Sequence, residues 1–236
     1  GLEKEKAVLL VIIGADTQGR KHLLAGESGY RESKESWCGI LRDLKGRGLK
    51  LGRLTAADGS LGIWTALGET HPQGEEQRCW NHKIVNVLDR FPKRLRAEAK
   101  ELLREIPYAE TRQKCEAMRD RFVGRYKNNY GKACEILLND WDRMVTFYSF
   151  PKEHWTHIRT TNVVESPFQV SRLRTNAARR YKKVQNATAM IWKLLRVAEK
   201  RFRTLKGVEK LEGVYEGKEY RDGEEITTVQ AERKAA

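Results

Sequence analysis

Ala7 to Gly14 (AVLLVIIG) is a continuous apolar run rich in β-branched side chains. Its length and composition predict a strand buried on both faces. Asp16–Thr17–Gln18–Gly19 has the residues of a turn, and Lys21 to Ala25 reads as the adjacent strand of a hairpin. In Ser33 to Leu44, the apolar residues Trp37, Ile40, Leu41 and Leu44 recur at helical spacing, and Gly46 and Gly48 stop the helix. Leu49 to Ala57 reads as a strand that returns to the sheet and delivers Asp58, and Leu61 to Leu67 as a second helix. The order strand, strand, helix, strand, helix predicts an α/β core.

The period then changes. From Phe91 to Phe150 the apolar residues fall into helical stripes: Leu95, Ala99, Leu102, Leu103 and Ile106; Cys115, Met118, Phe122 and Tyr126; Ile136, Leu137, Trp141, Met144 and Val145. Stripes at this spacing are core faces. Residues 91–150 therefore read as an all-helical insertion between the first part of the core, residues 1–90, and returning core helices at 151–205. Ser166–Pro167 supplies an N-cap and a first-turn proline. A long helix follows, with Met190, Ile191, Leu194, Leu195, Ala198 and Phe202 on one face. Residues 206–236 are polar and charge-dense, the composition of a mobile tail.

Charge narrows the class. Lys and Arg number 46 against 32 Asp and Glu, a net charge of +14 and a pI near 9.7. Such an excess suits a polyanion, either nucleic acid or an anionic membrane surface. A soluble basic protein of the ribosomal kind is the plainer reading of the same numbers. No apolar run approaches the ~18 residues of a membrane span, and no amino-terminal segment reads as a signal peptide. Cys38, Cys79, Cys115 and Cys134 are widely spaced and form no CxxC pair. That pattern points to a reducing cytoplasm rather than a disulfide framework.

Two acids stand out. Asp58 lies at the carboxyl end of a predicted strand, where open α/β sheets bind ligands, and a carboxylate there can hold Mg²⁺. Asp58–Gly59 is equally a turn dipeptide. Glu165, in Arg159–Thr160–Thr161–Asn162–Val163–Val164–Glu165–Ser166, is the second acid, and Asn162-x-x-Glu165 can also be a capping box. Cys79-x-x-His82 offers two zinc-type ligands, and His154 and His157 could form a second pair. Zinc requires four ligands, so a structural role for Cys79 and His82 is the simpler reading. Arg159, Arg172, Arg174, Arg179, Arg180, Lys182 and Lys183 surround Glu165 in sequence and form a candidate phosphate-binding set.

In order and spacing, a set of fragments resembles the bacterial insertion-sequence transposases of the Mutator type. They are Gly14–Ala15–Asp16–Thr17–Gln18–Gly19; Glu32 with Trp37; Leu44–Lys45–Gly46–Arg47–Gly48–Leu49; Asp58–Gly59 with Gly62; Gln77–Arg78–Cys79–Trp80–Asn81–His82 with Asn86–Val87–Leu88; and Arg159–Thr160–Thr161–Asn162 with Glu165–Ser166. The resemblance runs from about residue 7 to about residue 200. It implies an RNase H-like mixed-sheet core interrupted by a helical insertion. It also implies an Asp–Asp–Glu triad that binds Mg²⁺ or Mn²⁺, with Asp58 as second Asp and Glu165 as Glu. Cys79 and His82 match a Cys-x-x-His signature between them, and Asn162 belongs to the motif before Glu165.

The family's first Asp lies on a strand before AVLLVIIG, so the resemblance implies a chain that starts after it and is inactive as it stands. Asp16 belongs to the turn and is not that acid. The implied activity is DNA cleavage and strand transfer by two-metal phosphoryl transfer. The implied partners are double-stranded DNA, as element ends and target, and a second copy of the full-length enzyme. The implied location is the cytoplasm, at the nucleoid. A related RNase H-like nuclease and a non-catalytic DNA-binding relic of an element are the alternatives.

Overall fold

The opening apolar run is strand β1 (Val8–Ala15), antiparallel to β2 (Lys21–Gly29). The computed structural model describes residues 8–29, 32–163 and 184–226. Asp16 builds the turn of this hairpin: Oδ1 accepts the N–H groups of Gln18 and Arg20, each at 2.9 Å, and Gly19 N–H donates to Asp16 O at 2.9 Å. The register shifts between Ile12, opposite Ala25, and Ile13, opposite Leu23, which leaves Leu24 as the extra residue of a bulge. The adjacent Leu23 N–H donates to the Glu199 carboxylate at 2.8 Å.

Two compact units emerge from the backbone. One gathers residues 1–53, 60–74 and 162–211, and the other residues 54–59, 75–161 and 212–236. In the first, helix α1 (Lys34–Gly46) starts at Ser33, whose Oγ accepts the Ser36 N–H at 3.2 Å. Its Ile40 and Leu44 pack with Leu10 and Ala25 of the hairpin. Helix α2 (Leu61–Thr70) buries Ile63, Trp64, Ala66 and Leu67. The helix Val184–Glu199, here α8, brings Trp192 against Gly26 of β2. β1 is less buried than its composition predicts: Leu10 is buried, whereas residues 11 to 14 are partly covered. Among the described residues β1 pairs with β2 alone, and an edge strand keeps part of its surface open.

The second unit is mostly helical. Its ribbon pairs β3 (Leu54–Ala57) in parallel with β4 (Glu75–Arg78). Sequence analysis predicts a strand from Leu49 that joins the first sheet. The observed strand starts at Leu54, and its partner is β4. β4 reads Glu-Glu-Gln-Arg and has no apolar alternation to reveal it. Helices α3 (Trp80–Leu88), α4 (Arg96–Glu105), α5 (Arg112–Leu138), α6 (Trp141–Val145) and α7 (Trp155–Ile158) follow. The three apolar stripes meet in one core that includes Ala99, Leu103, Cys115, Phe122, Leu137 and Met144. Burying such a Leu or Phe side chain contributes roughly 1.5–3 kcal/mol. Phe91 stacks among Phe122, Tyr126 and Tyr130, with centroids 6.2, 5.0 and 4.7 Å away.

The stretch from 206 reads as a polar tail, yet up to Ile226 it carries structure. It forms helix α9 (Leu211–Tyr215) and a tight ribbon of β5 (Tyr220–Arg221) and β6 (Glu224–Glu225). Val214 and Tyr220 are buried beside Phe150. At the tip of the ribbon, Asp222 (φ 51°) and Gly223 (φ 86°) make the left-handed turn that suits a two-residue hairpin. Asp222 Oδ1 accepts the Arg112 N–H at the start of α5 at 2.6 Å, and Gly223 N–H donates to Tyr148 O at 3.2 Å. A few apolar contacts and one helix cap therefore order a segment of polar composition. Among the described residues no helix is long and apolar enough to cross a membrane.

A Cβ at Gly26 would sit 2.6 Å from the Trp192 ring, whereas one at Gly39 in α1 meets nothing within 4 Å. Gly26→Val is expected to destabilise the protein by roughly 1–3 kcal/mol through overpacking. Gly39→Ala is expected to be neutral or to stabilise by up to about 1 kcal/mol through helix propensity. Urea denaturation of the two variants checks the contrast.

Candidate functional site

Asp58 follows the last residue of β3 and is half-buried. Gly59 comes next with φ 102°, a conformation that excludes most side chains. A Cβ there would also collide with the Arg78 guanidinium. The left-handed glycine and the carboxylate at the strand end are thus one feature: the chain changes course at Gly59, directly after the acid at the carboxyl edge of β3. Its half-exposed oxygen donors fit a hard divalent ion, which keeps several of its waters.

Beyond Gly59, side chains between Gln77 and Lys83 fasten the unit together. Gln77 is fully buried. Its Nε2 donates to Arg78 O at 2.8 Å and Met144 O at 3.1 Å, and its Oε1 accepts the Phe147 N–H at 2.8 Å. Arg78 pairs with Asp140, which has a left-handed backbone (φ 58°) between α5 and α6. Arg143 ties Asp140 to Glu76 of β4. Trp80 Nε1 donates to Met144 O at 2.8 Å, and its ring meets Trp141 edge-on at 5.8 Å. Lys83 is fully buried, with Nζ bonded to Ile136 O at 2.7 Å and Asn139 O at 2.5 Å. Those carbonyls lie at the carboxyl end of α5, where the helix leaves acceptors and partial negative charge without internal partners. Burial first, and then the Arg78 charge, lower the Lys83 pKa to about 8 against a smaller opposing effect of Asp140.

Cys79 is the N-cap residue of α3 and is completely buried. Its N–H donates to Ala57 O at 2.7 Å, one residue before Asp58. Its Sγ accepts the Thr161 N–H at 3.3 Å, four residues before Glu165. The next residue repeats the link, with Trp80 N–H donating to Arg159 O at 3.0 Å. Burial alone would raise the Cys79 thiol pKa. Hydrogen bonds from the His82 side chain and from Thr161 outweigh it and hold the thiol below its ordinary value. Cys79 and His82 are therefore partners of each other. Among the described residues no group of three or more His, Cys, Asp and Glu side chains could share a metal ion.

Residues 2–204 match the family model described as "Transposase, Mutator family". The chain belongs to the Mutator family of transposases. It is 42% identical over 222 residues to the transposase for insertion sequence element IST2 of Acidithiobacillus ferrooxidans, covering 94% of this chain and 75% of that protein. It is 41% identical over 204 residues to the transposase for insertion sequence element IS6120 of Mycolicibacterium smegmatis, covering 86% of this chain and 63% of the relative. The transposase for insertion sequence element ISRM5 of Rhizobium meliloti is 28% identical over 191 residues, 81% of this chain and 48% of its own length.

Within this Mutator-family chain, the structure brings Asp58, Cys79, His82 and Arg159 into the second unit. Arg159, read from sequence as a phosphate contact, is turned inward. Its guanidinium lies 4.3 Å from the Tyr108 ring centre and 5.6 Å from that of Phe147 and donates to Pro107 O at 2.5 Å. His154 is buried and His157 half-buried. Asn162 is exposed. Glu165, Arg172, Arg174, Arg179, Arg180, Lys182 and Lys183 lie outside the described residues. Sequence reasoning missed Gln77, Lys83 and Asp140. Lys83 was findable as a polar residue in step with the apolar face of α3, but Gln77, in β4, and Asp140 had no such signal.

Gln77→Leu would leave the buried Phe147 N–H without its acceptor, at an expected cost of about 1–3 kcal/mol in chemical denaturation. Lys83 predicts a pH dependence. Its folded pKa near 8 lies below the ordinary 10.5, so the unfolded chain binds more protons between these values. Its charge therefore costs stability in full below pH 8, and the cost is relieved as pH rises toward 10.5. Stability of the wild type relative to Lys83→Met should climb across that window; a flat difference in urea midpoints from pH 7 to pH 10 would contradict it.

Proposed function

We propose that this chain carries part of the catalytic domain of an insertion-sequence transposase, which cuts DNA at the element ends and joins them to a target. The observation that carries the reading is Asp58, half-buried at the carboxyl end of β3 with the left-handed Gly59 directly after it. Family membership and relatives named as transposases support it. In this reading Asp58 and Glu165 are two acids of an Asp–Asp–Glu triad on an RNase H-like core.

Asp58 and Glu165 would hold Mg²⁺ or Mn²⁺ through carboxylate oxygens, the donors these hard ions prefer. When bound, the ions supply activation of the attacking oxygen and neutralise charge on the leaving oxygen. Both steps are in-line displacements at phosphorus, so one acid set serves cleavage and strand transfer. Arg172, Arg174, Arg179, Arg180, Lys182 and Lys183 would contact the phosphate backbone, and the net charge of +14 favours such a partner. Synapsis of two element ends calls for a dimer of the full-length enzyme.

In the full-length transposase, Asp58→Asn and Glu165→Gln should each abolish strand transfer in Mg²⁺ while leaving DNA binding within about twofold, because a carboxamide keeps the shape and loses the charge. Gel analysis of joined products, with a parallel mobility-shift titration, measures both. Joined products from either variant at the wild-type level would sink the assignment. Cut products without joined ones from the wild type would instead mark a nuclease.

A further inference from the structure

Resting on the reading of Asp58 as an acid of a DNA-joining site, we infer that a cleft lined by Arg78, Lys83, Asn86, Arg90 and Asn139 takes one backbone phosphate of the DNA, next to the point of cleavage. The cleft has a volume of about 280 Å³, and the residues that line it all belong to the second unit. Arg78 sets its place. In the ribbon of β3 and β4, Arg78 stands opposite Ala57, the residue before Asp58. Its guanidinium fills the space beside Gly59, where a Cβ would come within 2.8 Å of Cζ. The side chain that packs against the Asp58–Gly59 segment is thus also a wall of the cleft.

The lining suits an anion. A guanidinium carries five N–H donors. Among the described residues, that of Arg78 donates only through Nη1, to Asp140. Arg90 is exposed, and its guanidinium meets no acceptor among the described residues. The end of a helix ordinarily repels an anion, because its last carbonyls are acceptors. Lys83 removes that obstacle at the end of α5, where Nζ takes Ile136 O at 2.7 Å and Asn139 O at 2.5 Å. The charges also leave a surplus. Asp140 and Glu76 are matched by Arg78 and Arg143, and Asp89 on the rim has Arg96 at 3.8 Å. Lys83 and Arg90 remain, and at Lys83 the charge of Arg78 outweighs that of Asp140. A phosphate with two free oxygens fits between one anchored guanidinium and one exposed one.

The test uses the full-length transposase with Arg90→Ala, Arg78→Gln and, as reference, Arg121→Ala, which removes an exposed arginine of α5 outside the cleft lining. Element-end DNA carries a neutral methylphosphonate at one backbone position at a time, and binding is followed by fluorescence anisotropy over a range of salt. In the wild type, a methylphosphonate next to the cleavage point should weaken binding by about tenfold, the loss of one charge-assisted contact. Arg90→Ala and Arg78→Gln should each lose about tenfold on unmodified DNA, with a salt slope smaller by about 0.9. The combination is decisive. In either variant the methylphosphonate at that same position should weaken binding by no more than about twofold further, because the two changes remove one interaction. Arg121→Ala should keep the full penalty. A role confined to folding would leave the penalty unchanged at every position.

A methylphosphonate penalty that stays at the wild-type level in Arg90→Ala would overturn the inference. So would a penalty that is relieved only at positions far from the cleavage point. Arg90 is exposed, so Arg90→Ala decides even if Arg78→Gln fails to fold. The functional reading fails by other results. Wild-type protein that binds no element-end DNA, or Asp58→Asn that still joins strands, refutes that reading. A wild type that binds and a dead Asp58→Asn, beside an unrelieved penalty in Arg90→Ala, refute only the phosphate site.

Discussion

A buried amide has to find partners for both of its ends, and in this protein much of the helical unit is arranged around the partners of one amide. Gln77 is sealed from water, and its donors and acceptor are met by Arg78, Met144 and Phe147. The contacts of Arg78, Trp80 and Lys83 extend the same logic, each side chain ending on a backbone carbonyl or carboxylate of residues 136–144. Hydrophobic stripes bring α3, α5 and α6 together, but stripes tolerate sliding. Directional bonds to buried groups do not, because a shifted register would leave several of them unmet. The polar run thus fixes where the helical block sits relative to β3 and β4, and so relative to Asp58.

How much of this could be read in the sequence depended on the kind of signal. The hairpin, α1 and the three helical stripes were legible because apolar periodicity reports a buried face directly. The ribbon of β3 and β4 was only half legible. Leu54–Ala57 looks like a strand, but Glu75–Arg78 exposes no pattern, since three of its four residues are charged and are satisfied by specific pairs rather than by burial. The ribbon of β5 and β6 was hidden for a related reason: two buried side chains and a cap give no period. At the site, Asp58 was legible through its strand-end position and Gly59. The inward role of Arg159 was not, because an arginine buried between two rings has the same letter as one on a phosphate.

The same contrast separates what family resemblance and physical chemistry each supply. Resemblance picked out Cys79 and His82 without giving them a task. Burial, the Ala57 and Thr161 bonds and the His82 contact give the pair a structural place at the start of α3. Charge is organised in a similar way. Glu76, Arg143, Asp140 and Arg78 form an alternating chain that ends beside Gly59, so the surplus of positive charge is locally balanced there.

The cap that Asp222 places on α5 has a consequence for the order of assembly. Arg112 and Asp222 are 110 positions apart, and the helical unit also recruits residues 54–59 from the amino-terminal side. A body stitched from three separate stretches of chain closes long loops before it gains its contacts, which slows folding. Thr111 caps the Lys114 N–H of α5 locally, but during synthesis the Arg112 N–H would wait for Asp222 until the ribbon tip had left the ribosome. The unit that carries Asp58 would therefore be completed only once residues some 160 positions beyond that acid had been made.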